Sequence, residues 1–195
     1  MRNVLAAITM GGAALLSAGA AAAQEPQDTG VDCVYNALAA DYELVAEVFL
    51  YDDMSQEDIT KVDTLVEAAK KGCAERYAFS EGQLFTIGEL GVYASSIDYL
   101  AEELLWGGAS EASIEGVLDV YQGLSDEDFD MLFDTTWRSN VAFHDKLKNA
   151  VVAKGIPSDE DSVAFALTML EVSAMADEAM TLFELDDLLG EGEES

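Results

Sequence analysis

Only one of these 195 residues is a histidine, His144, and general acid-base chemistry at ordinary pH starts with that side-chain type. It falls on a run of Phe133, Trp137, Asn140, His144, Leu147 and Val151, spaced at fours and threes, which one helix would present along a single stripe. Trp137, Asn140 and His144 are therefore the candidate binding residues. An imidazole and an amide among aromatics can line a pocket, with Ser139 or an acid from another helix completing it. The competing reading is a hydrogen-bonded core histidine, the commoner fate of a lone His on an apolar face. No catalytic residue is assigned, because the chain has no G-x-S-x-G elbow, no H-E-x-x-H pair and no second histidine.

The carboxylates and thioethers make weaker cases. Asp126, Asp128 and Asp130 alternate as in a calcium loop, but Met131 stands where the glycine belongs and Trp137 where the bidentate glutamate belongs. Met169, Met175 and Met180 with His144 would be a copper set, and core filling explains the methionines better. No metal site and no cofactor are expected. Arg138 follows Asp134 by four residues, the order of a surface helix pair worth a few tenths of a kcal/mol.

Cys33 and Cys73 are the only cysteines, and their placement predicts a bridge. Helical patterns flank a turn at Tyr51-Asp52-Asp53-Met54, and residue 53 is the midpoint of the two cysteines. A helical hairpin folded there brings both thiols level at its open end. Closing that loop stabilises by about 4 kcal/mol in the chain-entropy model.

The elements that must position these residues all read as helices. Ser55, Ser80, Ser125 and Ser158 each precede acidic first-turn residues, as N-caps do. Met54 with Ile59, Phe79 with Leu84, and Leu124 with Phe129 occupy staple positions, while Gly72, Gly107, Gly123 and Gly155 stand at expected helix ends. Six helices result, at about 31–51, 56–71, 81–106, 111–122, 126–154 and 159–189. Stripes at Val31, Tyr35, Leu38, Tyr42, Val45 and Phe49, and at Leu90, Tyr93, Ile97, Leu100 and Leu104, suit nearly antiparallel packing. Gly88, Gly91, Ala94 and Ser95 give the third helix a small-residue face, read as dense helix packing rather than a ligand groove. The expected fold is a single all-α bundle over 31–189, with a disulfide-stapled N-terminal hairpin.

Residues 1–23 form a signal peptide pattern: Arg2, an apolar stretch from Val4 to Leu16, and Ala21-Ala22-Ala23 before Gln24. A short lead (24–30) and an acidic tail (190–195) flank the bundle. All 39 acidic residues lie beyond residue 23 and Arg2 does not, so removing the leader takes the charge from −30 to −31. That field disfavours nucleic acid and anionic lipid. The most apolar later stretch, Val163 to Met180, is interrupted by Glu171, Asp177 and Glu178, so no stable membrane anchoring is expected after cleavage.

The chain thus reads as an exported, acidic helical protein, periplasmic or secreted, acting as a non-catalytic interaction or binding module on a protein or small-molecule partner. One alternative is a ligand-binding protein or enzyme using the Trp137, Asn140 and His144 face. Another is a weak cation binder working through its acidic clusters. The intact mass of the exported product should place its first residue at Gln24 or close to it. A membrane-extracted species retaining Met1 would refute the leader.

Overall fold

The computed structural model describes residues 30–190, and all their regular structure is helical. The expected leader at 1–23, most of the expected lead at 24–30 and residues 191–195 lie outside the described residues. Eight α-helices follow one another: α1 (Cys33–Leu38), α2 (Tyr42–Leu50), α3 (Gln56–Ala74), α4 (Glu81–Trp106), α5 (Glu111–Gln122), α6 (Asp126–Phe133), α7 (Val141–Ala153) and α8 (Glu160–Gly190), with a 3-10 turn at Thr136–Arg138 between α6 and α7. No helix among the described residues is long and apolar enough to cross a membrane.

A stretch of helix that is buried all round belongs at the centre of a bundle, and the middle of α8 is such a stretch. Ala166, Leu167, Met169, Leu170, Val172 and Ala174 point in every direction around it and are all buried. Its main neighbour is α4. A Cβ on Gly82 would touch the Asp186 carboxylate, and one on Gly107 would touch Ser162 Oγ. The two helices therefore run antiparallel and in step over about seven turns. Ile97, Leu100 and Leu104 of α4 join one apolar cluster with α5, α6, α7 and most of α8. Ile87 of α4 and Phe183 of α8 join a second with α1, α2 and α3.

The expected bridge is present. Cys33 and Cys73 are bonded with their Cα atoms 6.0 Å apart, joining α1 to α3 across a separation of 40 residues. The expected helix 31–51 is two helices, broken at Ala39 to Asp41. Contacts with α4 give the reason. Tyr35 donates to Asp98 and Tyr42 to Glu102, each at 2.5 Å, a rise along α4, whereas Phe49 packs edge-on against Tyr93, a return. A straight helix progresses one way along its neighbour, so residues 35–49 cannot form one, and the break falls between Leu38 and Tyr42. The small-residue face of α4 does serve close packing: a Cβ on Gly91 would come within 2.5 Å of Val34 Cγ1.

Caps follow the sequence at three of the four serines. Ser55, Ser80 and Ser125 accept from the backbone N–H groups of Asp58, Gln83 and Asp128, and the last two form reciprocal capping boxes. The fourth is corrected by one position, since Asp159, not Ser158, accepts from Ser162 N–H at 2.9 Å. Gly72 does not end α3 either, which continues to Ala74. Cys33→Ser should lower stability by about 2 to 5 kcal/mol while leaving the helical circular dichroism of the folded fraction unchanged. Two free thiols in protein purified without reductant would contradict the bridge.

Candidate functional site

The sequence put Trp137, Asn140 and His144 on one face of a helix running from 126 to 154. The structure breaks that helix, because α6 stops at Phe133 and α7 starts at Val141. Thr135, the only non-glycine described residue at positive φ (59°), turns the chain in a left-handed conformation, strained for a β-branched side chain. Nothing in the local sequence flags this stop, since the usual glycine is absent.

The corner so made has a defined geometry. Trp137 sits on the 3-10 turn, buried in the larger cluster. The His144 ring lies nearly parallel to the Trp137 ring, centroids 6.1 Å apart, and the Arg138 guanidinium is 4.8 Å from the Trp137 centroid. Asn140 caps α7, its carbonyl oxygen accepting Phe143 N–H at 3.1 Å, and its amide nitrogen faces Met131 Sδ. Trp137 and His144 thus remain neighbours, while Asn140 is exposed and committed to the helix end. His144 is not a core residue: its side chain is 40% exposed, with Nδ1 3.8 Å from Asp145. Ser139 donates to the carbonyl of Thr136, so its hydroxyl is engaged on the backbone.

Two features of this corner were not legible in the sequence. The buried indole N–H of Trp137 has no hydrogen-bond partner, an arrangement that costs a folded protein free energy. The Glu171 carboxylate, only 7% exposed on the central helix, is met by Arg138 at 2.6 Å. That pair replaces the expected Asp134–Arg138 surface pair, because Asp134 and Arg138 no longer share a helix. It also shows why Glu171 interrupts an otherwise apolar stretch.

Of the acids that imitate a calcium loop, Asp128 has structural employment. Asp128 closes the capping box at Ser125 and receives Lys146 Nζ at 2.6 Å, and those bonds hold its carboxyl below the usual range despite burial. On α4 the balance is reversed, where burial pushes the Asp98 carboxyl up against the lowering effect of the Tyr35 hydroxyl. Met169 fills the core. Among the described residues no three His, Cys, Asp or Glu side chains converge as metal ligands would. A polar cleft of about 380 Å³ opens beside the disulfide, where Arg76 spans from the Gly72 carbonyl to Cys33 Sγ.

Charge is segregated along the chain. Every Lys and Arg of the described residues lies within 61–76 or 138–154, so α1, α2, α4, α5, α6 and α8 carry none. On two of these, the acid-only helices α4 and α8, stand large exposed apolar side chains: Trp106 at 85%, Phe85 at 62%, and Leu182 and Leu185 at 48% each. No protein-family model, curated protein or solved structure matches the chain.

Arg138→Met should lower stability by about 1 to 3 kcal/mol, since it strands the Glu171 carboxylate in the interior, tempered by the exposure of the arginine. His144→Ala should cost less than about 1 kcal/mol, as expected for a half-exposed ring. Chemical denaturation of the two variants checks the order, and a larger loss for His144→Ala would contradict this geometry.

Proposed function

We propose that this protein is an exported, non-catalytic interaction module, soluble in the periplasm once its leader is removed, which binds another polypeptide through its acid-only helices. The observation that carries the reading is the coincidence on α4 and α8 of two properties. These helices have no cation, and they expose Phe85, Trp106, Leu182 and Leu185 to solvent. Phe85, Leu182 and Leu185 lie at one end of the α4–α8 pair and Trp106 at the other, and apolar side chains grouped on a charged surface commonly mark protein interfaces. The bridge of Cys33 and Cys73 and the lack of a membrane-crossing helix among the described residues are compatible with an oxidising compartment outside the cytoplasm.

The second reading is a small-molecule site at Trp137 and His144. It draws support from the unpartnered indole N–H, a donor that a ligand acceptor would satisfy. One experiment separates the two. A photo-crosslinking side chain placed at Trp106 or at Phe85 in the exported protein should yield a discrete adduct with a second polypeptide in the native compartment. Absence of any adduct, together with a rise in melting temperature on adding a protein-free metabolite extract that Trp137→Phe abolishes, would transfer the function to the Trp137 corner.

A further inference from the structure

The exposed apolar residues of α4 and α8 are arranged as well as exposed. Gly82 and Asp186 touch where the first turn of α4 meets the end of α8, Ser80 donates to the Asp186 carboxylate, and Phe79 packs edge-on against Phe183 below. Phe85 lies one turn beyond Gly82 and Leu182 one turn before Asp186. Because the helices are antiparallel, both steps run in the same direction along the bundle, and both rotate toward solvent by about 40 to 60°. The two side chains therefore stand on opposite walls of one shallow groove, with Leu185 on the outer side of the α8 wall. At the Gly82 end the place of a Cβ is taken by the Asp186 carboxylate, which closes the groove there.

Each wall repeats one pattern. Glu81 and Glu89 lie one turn either side of Phe85, and Glu178 and Asp186 one turn either side of Leu182. The exposed apolar centre is thus lined on both walls by carboxylates. On the far flank of α4 the stem of Lys70 crosses Gly88, and its ammonium is paired with Glu67 at 2.7 Å.

We infer that this groove is a docking site for a cationic amphipathic helix of another polypeptide, one apolar stripe seated between Phe85 and Leu182 and its flanking Lys or Arg side chains meeting the four acids. The inference rests on the interaction reading above and gives it a place and a partner. Charge complementarity selects the occupant. A second copy of this chain would bring the same acids against each other, and an anionic lipid surface is repelled in the same way. Residues 24–29 hold no Lys or Arg and residues 191–195 add three glutamates, so neither terminal stretch supplies the cations. An apolar stripe at i, i+3, i+4 and i+7 with basic flanks is the form that matches a groove one helix wide.

The probe is a synthetic Leu/Lys peptide of about 18 residues with one apolar face, compared by fluorescence anisotropy with a scrambled peptide of equal composition in about 0.15 M salt. The intact protein should prefer the amphipathic peptide by at least about tenfold. Phe85→Ser with Leu182→Ser, which leaves the charge unchanged, should abolish the preference, whereas Val141→Ser, at an exposed site on α7, should leave it intact. Circular dichroism melts check that the variants fold, and Leu185→Ser alone, with a smaller expected loss, serves if the pair does not. Equal binding of both peptides by the intact protein, or a preference that survives the paired substitution, overturns the groove. If the polypeptide adduct crosslinked at Trp106 still forms with the paired variant, the interaction reading stands and only the groove falls. If no adduct forms even with the intact chain, the reading itself falls.

Discussion

The contact of α4 with α8 is what every other element depends on. One is buried around its circumference over its middle turns and must be covered there, and the other is lined with small residues and admits neighbours at close range. Their pairing forms a spine on which two separate apolar clusters are built, one at each end of α4. Neither cluster would persist without the spine, because each borrows a part of it: Ile97 to Leu104 in one, Ile87 and Phe183 in the other. Buried serines on α4 do not disturb this packing. Ser95 and Ser96 return their hydroxyls to the carbonyls of Gly91 and Val92, so the helix satisfies them itself.

Much of the fold was legible because its punctuation is local. N-cap serines, staple pairs and the positions of two cysteines depend on residues within a few places of each other or on a simple count, and these gave the all-α class, the bridge and most helix ends. The two broken helices were not legible, for one physical reason. At Ala39 to Asp41 and at Thr135 the chain turns without glycine or proline, so propensity is unremarkable and only tertiary contacts force the turn. Tyr35, Tyr42 and Phe49 must meet partners that reverse direction along α4. Trp137 and Arg138 must reach the core and Glu171.

The candidate site fared according to the same rule. Periodicity grouped Trp137 with His144, and these rings do stack, but across a turn rather than along a helix. The same periodicity placed Asn140 and His144 in the interior, where neither lies. Glu171 was noticed only as an interruption of an apolar stretch. Its meaning, a buried acid answered by Arg138 from another element, required the fold. The charge pattern along the sequence was visible throughout, yet the pairing of Phe85 with Leu182 depends on the register of two helices about a hundred residues apart.

The disulfide joins α1 to α3 and nothing to the spine. The first three helices are therefore a closed covalent ring that meets the spine through packing: Val34 in the notch at Gly91, two tyrosine hydroxyls on Asp98 and Glu102, an aromatic edge at Phe49, and the apolar cluster shared with Ile87 and Phe183. A cross-link of this kind acts on the unfolded chain as much as on the folded one, because it keeps α1 and α3 near each other when the packing is lost. The glycine notch of α4 is thus covered by a part of the chain that stays looped when it unfolds, so the segment that must find the notch again has fewer conformations to search.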